Sequence, residues 1–218
     1  MSTRRVFSLT NFEEMSLQDF SDALASTNPT PGGGSAAAVA LSQAAALTVM
    51  VSDITIGREK WELGWKASEA AKLVATPLVS DGFSLANDDT DSFVSVMDSF
   101  KLPKETTEQK EARSLAIQDA TYQAALVPLQ TAKDALQLLL CQEELAVTGN
   151  ANAVTDVGVA SLLASAACKG ALFNVHINAI SLPNDLSEPL LEQVTEIRNI
   201  SKDASRAVMK AVYTRLEQ

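Results

Sequence analysis

Apolar residues recur at helical spacing along almost the whole chain. They fall at i, i+3, i+4 and i+7, and no convincing run alternates with the period of two that is typical of a half-buried strand. The pattern therefore predicts an all-α protein. No linker within the 218 residues is long enough to separate domains, so we expect one domain over 1–218, folded as a bundle of about six helices.

Capping residues, glycines and prolines set the expected helix ends. We expect helices over about 16–26, 32–55, 58–100, 107–148, 150–180 and 187–215. The third helix should break near Pro77 or Gly82, and the fourth should kink at Pro128, because proline removes a helical N–H and clashes with the preceding turn. Ser16 and Ser35 are the expected N-caps of the first and second helices.

The charge balance is acidic, with 17 basic and 27 acidic residues and a net charge of -10. Arg4 and Arg5 are the only adjacent basic pair apparent in the sequence, and we see no basic patch, so binding to nucleic acid or to an anionic membrane is not expected. No continuous apolar stretch follows this pair, which argues against a secretory signal. The apolar run after Ser35 begins with alanines and contains polar residues, which favours a buried helix over a membrane span.

Cysteine and histidine usage predicts neither a metal site nor a disulfide. Cys141 and Cys168 lack Cys-x-x-Cys or Cys/His spacing and are expected to be buried thiols in a reducing cytoplasm. The only histidine, His176, is expected at the surface or at an interface. Histidine acid–base chemistry and a His-ligated metal are therefore not expected.

Three consecutive glycines, Gly32, Gly33 and Gly34, precede the second helix. Without Cβ atoms they can adopt positive φ and let the backbone approach a ligand, and the amides of the first helical turn after Ser35 form an anion site. The structural alternative is a sharp turn that permits close helix packing. No lysine follows the glycines and no strand precedes them, so this is neither a Walker motif nor a dinucleotide fingerprint.

Four aspartates crowd into NDDTDSFVSVMDSF, residues 87–100. Asp89 lies four residues before Phe93, so it should point inward, where burial raises the pKa of a carboxyl group toward the range useful for proton transfer. The alternative is an N-cap aspartate of a helix that restarts after Gly82. The rest of the apolar stripe is Val96, Met97 and Phe100, and the expected solvated face carries Asp88, Asp91 and Asp98.

A second stripe at i+3 and i+4 steps combines polar ends with a seam of small residues. The small side chains would let another helix, or a flat ligand, approach closely. The stripe comprises Asp156, Ala160, Leu163, Ala167, Gly170, Asn174 and Asn178.

Six segments together resemble one known family, the formimidoyltetrahydrofolate cyclodeaminases and methenyltetrahydrofolate cyclohydrolases. They are TPGGGSAAAVA, DITIGREKW, DTDSF, FKLPKETTEQKEAR, AIQDATYQAALVPL and GNANAVTDVGVASLLASAACKGALFNVHIN. The resemblance implies an all-helical, usually dimeric enzyme that acts on the one-carbon unit of tetrahydrofolate. It also implies that Asp89, the first residue of DTDSF, is essential. Asn87 and Asp88 depart from the acidic and small residues that are more typical before it.

We therefore expect a methenyltetrahydrofolate cyclohydrolase that uses no metal or cofactor, with Asp89 taking the proton of the attacking water. The alternatives are a formimidoyltetrahydrofolate cyclodeaminase and a folate-binding protein without catalysis. The preference rests on the absence of a preceding formiminotransferase half.

The remaining site residues would bind the substrate. Asn174 and Asn178 would hydrogen-bond the pterin, and Lys60 or the amides of Gly32, Gly33, Gly34 and Ser35 would hold the glutamate carboxylates of folate, polyglutamylated or not. Asp156 is a further candidate binding residue. We expect a homodimer with its active sites near the subunit interface.

Overall fold

Every regular element between residues 11 and 217, the part of the chain that this computed structural model describes, is a helix. Arg4 and Arg5 lie outside the described residues. The six α-helices are α1 (Leu17–Ala25), α2 (Gly33–Thr55), α3 (Trp65–Ser99), α4 (Thr107–Thr148), α5 (Val154–Ala179) and α6 (Asn184–Leu216). Three short 3-10 helices cover Phe12–Glu14, Glu59–Gly64 and Ala151–Ala153. The prediction of an all-α bundle is confirmed.

Helices α2 to α5 form an antiparallel four-helix bundle. α2 packs against α3 and α5, while α4 packs against the same two helices from the opposite corner. α6 folds back along α4 and α5. The largest buried cluster lies inside this arrangement and is rich in alanine and leucine, so the helices approach each other closely.

The predicted break of the third helix at Pro77 or Gly82 is wrong, because α3 continues through both residues. A Cβ atom at Gly82 would lie only 2.7 Å from the carbonyl oxygen of Ala38 on α2. The glycine therefore permits close packing rather than a break. Burial of α3 against α2 and α4 offsets the cost of Pro77, which is roughly 3 kcal/mol in a helix interior.

The chain instead leaves the helical path between α2 and α3. Gly57 has a φ of 77°, and the segment Glu59–Gly64 forms a 3-10 helix, so α3 begins at Trp65 rather than near Arg58. A Cβ atom at Gly64 would collide with the carbonyl group of Thr148, which shows how closely this turn lies against the end of α4.

The start of α1 agrees with the predicted capping, and the starts of α4 and α6 add detail that was not predicted. The Ser16 side chain accepts a hydrogen bond from the backbone N–H of Asp19, as expected for the start of α1. Thr106 and Gln109 form a reciprocal capping box at the start of α4. α6 begins at Asn184, immediately after Pro183 and about one turn before the predicted start.

Two helical segments have the length and hydropathy of a membrane span, namely Gly33–Thr55 and Ala151–Ala179. Within their most apolar windows, 61% and 56% of the residues are buried against the rest of the protein. Core helices of helical bundles show the same combination of length, hydropathy and burial.

The two cysteines have unreactive surroundings. Cys168 is buried and Cys141 is partly buried, and neither forms a disulfide. Burial raises the pKa of the Cys168 thiol and raises the pKa of Cys141 to about 11. Both thiols therefore stay protonated at neutral pH. The prediction of a buried thiol is confirmed for Cys168, whereas Cys141 is only partly buried.

Candidate active site

The carboxylate of Asp89 lies against the first turn of α2. The hydroxyl of Ser35 donates to Asp89 Oδ2 over 2.9 Å, and the backbone N–H of Ser35 donates to the same carboxylate. A Cβ atom at Gly34 would lie 2.2 Å from Asp89 Oδ1. Only a glycine at residue 34 leaves space for this carboxylate.

The glycines act differently from the prediction. Gly32 is the N-cap with extended backbone (φ -127°), and α2 already begins at Gly33, so Ser35 is the third helical residue rather than the N-cap. Among the described glycines only Gly57 has a positive φ. The glycines do permit a close approach to the backbone, but the approaching group is the carboxylate of the protein itself.

Two opposing effects act on the pKa of Asp89. Burial raises its pKa above the ordinary value of 3.8, and the hydrogen bonds from the side chain and backbone of Ser35 lower it. Burial dominates, so the pKa is raised. A raised pKa makes a carboxyl group better suited to take up and return a proton.

The orientation of Asp89 does not come from the predicted apolar stripe. Phe93, Met97 and Phe100 are exposed, between 39% and 50%, because this last part of α3 is not covered by the bundle. Asp89 instead turns toward α2, and its neighbour Thr90 is buried with its hydroxyl 3.4 Å from that of Ser35. Asp89 lies well inside α3, so the alternative of an N-cap aspartate is wrong.

Asn87 has a structural role that explains one departure from the family pattern. Its side-chain oxygen accepts a hydrogen bond from the backbone N–H of Phe12 over 3.1 Å. The Phe12 ring is buried and packs edge-to-face on Phe20. Asn87 thus fastens the N-terminal segment onto α3, two residues before the candidate catalytic carboxylate.

The polar residues of the α5 stripe lie at opposite ends of the helix. Gly170 lies beside Ala37, since a Cβ there would be 3.4 Å from the Ala37 Cβ atom. Asn174 is one turn further along α5, at the level of the α2 N-terminus, and its amide donates to the carbonyl of Gly170 over 3.0 Å. The structure therefore places Asn174 at the same end of the bundle as Asp89.

Lys60 and Asp156 lie at the other end. α2 spans about 33 Å at 1.5 Å per residue, and Lys60 follows its C-terminus while Asp89 contacts its N-terminus. The ammonium group of Lys60 lies 4.6 Å from the centre of the Trp61 ring. Asp156 is flanked by buried residues that pack with Val51, near the C-terminus of α2. Within one chain, neither residue lies near Asp89.

Asn178 compensates for a proline in the neighbouring helix. α4 continues through Pro128, which has no N–H to donate to the carbonyl of Ala124 four residues earlier. The side-chain amide of Asn178 donates to that carbonyl over 2.8 Å. This contact gives Asn178 a structural function that is independent of any substrate.

The comparisons with known proteins agree with this architecture. The sequence profile of the formiminotransferase-cyclodeaminase family matches residues 16–196. The chain belongs to this family. The structure resembles that of formiminotetrahydrofolate cyclodeaminase from Thermotoga maritima, with a TM-score of 0.82 and 27% identity over 93% of this chain and 98% of the other.

Two relatives with different names match the chain. The methenyltetrahydrofolate cyclohydrolase of Methylorubrum extorquens is 38% identical over 76% of this chain and 80% of its own length. The formimidoyltransferase-cyclodeaminase of Mus musculus is 29% identical over 94% of this chain but only 38% of its own length. The family therefore includes enzymes named for two reactions, and the chain spans most of the first relative and less than half of the second.

Histidine, cysteine and carboxylate side chains do not cluster as metal ligands in this family member. Between residues 11 and 217, no three of them come together in a way that could hold a metal ion. The expectation of a reaction without metal or cofactor stays a prediction. His176 is exposed on α5, as its phase on the helix predicted.

Sequence reasoning missed two features of the molecule. The contact between Ser35 and Asp89 joins residues 54 positions apart, and periodicity within a single helix carries no signal for it. The expectation of no basic patch is wrong, because α5 and α6 bring together Lys169, Arg198, Lys202 and Arg206 along one groove. The spacing of the last three, i, i+4 and i+8, was the available signal.

Proposed function

We propose that this protein is a methenyltetrahydrofolate cyclohydrolase, with Asp89 as the proton-transferring residue. The observation that carries the proposal is the partly buried Asp89 carboxylate, held by Ser35 above Gly34 and raised in pKa. The identity of 38% to the cyclohydrolase of Methylorubrum extorquens, over most of both chains, supports the choice of reaction.

The chemistry needs one group that accepts and then returns a proton. The methenyl carbon is a cationic amidinium centre and is already electrophilic, so water can add to it while Asp89 takes one water proton. The carbon–N5 bond of the resulting carbinolamine then breaks as the protonated Asp89 gives its proton to N5. The carbinol O–H loses its proton to solvent, and the product is 10-formyltetrahydrofolate. The ionised carboxylate also stabilises the cationic substrate.

Residues around the α2 N-terminus would hold the substrate. Gly33 is exposed, and its amide belongs to the first helical turn, so it remains a candidate donor to an anionic or carbonyl group of the folate. The amide of Ser35 already serves Asp89. Asn174 is partly exposed at the same end of the bundle and would contact the pterin.

The cyclodeaminase reaction is the second candidate. It is favoured by the fold similarity to the Thermotoga maritima cyclodeaminase, which extends over nearly all of both chains. In that reaction a folate nitrogen attacks the formimino carbon and ammonia leaves, with the same carboxylate moving the protons. The two reactions share the electrophilic carbon and differ in the nucleophile and the leaving group.

A direct assay separates the candidates. The purified protein is incubated separately with methenyltetrahydrofolate and with formiminotetrahydrofolate, and the methenyl absorbance is followed. A cyclohydrolase makes the absorbance fall in the first reaction, and a cyclodeaminase makes it rise in the second, with release of ammonia. No change beyond the uncatalysed rate in either reaction, with folate still binding, would identify a non-catalytic folate-binding protein and refute the proposal.

A homodimer could bring Lys60 and Asp156 of one chain close to Asp89 of the other chain. The exposed face of α2 and α5 carries Met50, Ile54, Val159 and Leu162, between 38% and 55% exposed. Two copies paired across this face with antiparallel α2 helices would bring the Lys60 end of one copy to the Asp89 end of the other. Lys60 and Asp156 would then act on a folate bound at the partner's Asp89, in a cleft shared by two chains.

Mixed dimers test this arrangement. Asp89→Asn and Lys60→Ala chains, each weak alone, are unfolded together and refolded as a mixture. Shared sites predict that activity recovers toward a quarter of wild type, because half the dimers are mixed and each has one intact site. Activity that stays at the mean of the two single variants would show that each site is built from one chain. A fully active monomer in sedimentation experiments would refute the proposal of a homodimer.

A further inference from the structure

A groove of about 640 Å³ runs between α5 and α6. Its floor is apolar and includes Leu172, Phe173 and Val194. Phe173 is 75% exposed, so its ring is available for contact with a ligand. On α5, Gly170 faces α2 whereas Lys169 and Phe173 face this groove, which separates it from the Asp89 site.

The rim of the groove is cationic. Arg198, Lys202 and Arg206 follow each other at intervals of four residues on α6, which spaces them about 6 Å apart along the helix. Lys169 adds a fourth positive charge from α5. This concentration occurs in a chain whose net charge is -10, so the rest of the surface is even more acidic.

The four cations form no ion pair within the described part of the chain. Like charges at i and i+4 destabilise a helix by about 0.2–0.5 kcal/mol per pair, and α6 contains three such pairs in succession, the third formed by Arg206 and Lys210. None of the four side chains makes an ion pair among residues 11–217, where the recorded ion pairs join Lys72 to Asp53 and Lys101 to Asp98. The row of like charges costs the helix stability and is left without an ion pair among residues 11–217, as expected for a binding surface.

The size and lining of the groove define the ligand. Its volume is in the range of small-molecule sites, roughly 300–1,000 Å³, and the apolar floor with an exposed aromatic ring suits a flat apolar body. The cation spacing suits several anionic groups in a row. A two-fold contact centred on this groove would bring the same cationic row of both copies together, which disfavours a second copy of this chain as the occupant.

We propose that the α5–α6 groove is a second binding site for a small aromatic oligoanion, whose ring packs on Phe173 and whose anionic groups pair with Lys169, Arg198, Lys202 and Arg206. The anionic groups belong to one of two sources, phosphates as in a nucleoside triphosphate or carboxylates as in an aroyl oligopeptide of acidic residues. The site does not depend on the reaction at Asp89.

The test uses the full chain and equilibrium dialysis at low and moderate salt. Three probes are compared: ATP, N-benzoyl-triglutamate and inorganic tripolyphosphate. The Asp89→Asn variant is included, since its groove is intact and binding there should be unchanged. The binding variants are Arg198→Gln/Lys202→Gln and Phe173→Ala, with Lys104→Gln/Lys110→Gln as the control that removes two exposed charges elsewhere.

We expect one of the two aromatic probes to bind with a stoichiometry of one per chain and with an affinity that falls as salt rises. The double charge variant should weaken binding at least tenfold, and Phe173→Ala should weaken the aromatic probe but not tripolyphosphate. The control variant should bind as wild type does. Whichever aromatic probe binds more tightly identifies the anionic source.

Three results would overturn the proposal. The first is that neither aromatic probe binds below 1 mM at low salt. The second is that the charge variant and the control lose affinity equally. The third is that tripolyphosphate binds as tightly as both aromatic probes and Phe173→Ala has no effect. Because the groove and control variants change only exposed side chains, circular dichroism should show wild-type folding, and a failed fold is replaced by the Lys169→Gln/Arg206→Gln pair.

Discussion

The carboxylate of Asp89 occupies the space that any side chain at residue 34 would fill. A Cβ atom at Gly34 would lie 2.2 Å from Asp89 Oδ1 and 2.7 Å from Oδ2. The two residues are 55 positions apart and lie on different helices. The residue type at each position depends on the other position. The glycine is needed because the carboxylate approaches the backbone, and the carboxylate can accept a hydrogen bond from the α2 amide because residue 34 is glycine.

Gly34→Ala should lower kcat/KM at least a hundredfold, because the new methyl group displaces Asp89 from Ser35. Gly33→Ala is the matched control, since Gly33 has helical backbone and a Cβ atom there meets nothing within 4 Å. Steady-state kinetics on both variants, with thermal unfolding, would check this. Equal activity losses in the two variants would show that the close contact with Asp89 does not matter for turnover.

Asp89→Asn should abolish turnover, with a loss on the order of 10²–10⁴-fold, because the amide keeps the shape but cannot accept a proton. The melting temperature should be equal to or above that of wild type, since burial disfavours the charged carboxylate in the folded state. Asp91→Asn, two residues along the same helix, is the control and should keep most of the activity. Near wild-type turnover in a folded Asp89→Asn variant would refute the catalytic assignment.

Ser35→Ala should move the acid limb of the pH–rate profile to higher pH. The hydrogen bonds from Ser35 stabilise the ionised carboxylate and lower its pKa, so removal of the hydroxyl raises the pKa further. At any pH on the acid limb, a smaller fraction of Asp89 is then ionised and able to take a proton. The measurement is kcat/KM against pH for both proteins, and an unchanged or lower acid limb would contradict the role given to Ser35.

Asn178→Ala should destabilise the fold by about 1–3 kcal/mol, because the carbonyl of Ala124 loses its donor. Pro128→Ala restores a backbone N–H four residues after Ala124, so the double variant should recover much of the lost stability. Urea unfolding of wild type, both single variants and the double variant gives the coupling between the two sites. Additive effects would mean that Asn178 does not replace the missing N–H.

Helical periodicity was sufficient to predict the fold class, because each helix of the bundle carries its own apolar pattern. It failed at Gly82, where the glycine permits α3 to pack on Ala38 of α2 rather than interrupting the helix. Local propensity favours a break at Pro77 and Gly82, and the burial of α3 between two other helices overrides that preference. Contacts between helices are absent from a pattern that is read one helix at a time.

The site could be predicted only in part, because it too depends on contacts between helices. Asp89 stood out in the sequence, although the stripe used to orient it is exposed in the structure. Its actual partner, Ser35, lies on another helix. Lys60 and Asp156 were grouped with Asp89 by their chemistry, and the length of α2 separates them within one chain. Residue type identifies candidate groups, and only the packing of the helices decides which of them meet.

The N-terminus of α2 has no side-chain cap from its own N-cap residue. The negative charge beside its first turn is the carboxylate of Asp89, which belongs to α3. Each time Asp89 takes up a proton, that charge disappears and the hydrogen bond from the Ser35 amide weakens. The first turn of α2 is then held less firmly, so proton uptake and local opening of the backbone are coupled. As the pH falls and Asp89 takes up its proton, amide hydrogen exchange at Gly34 and Ser35 should therefore slow less than the decline in base-catalysed exchange alone predicts, which gives a readout of the protonation state of Asp89 without any substrate.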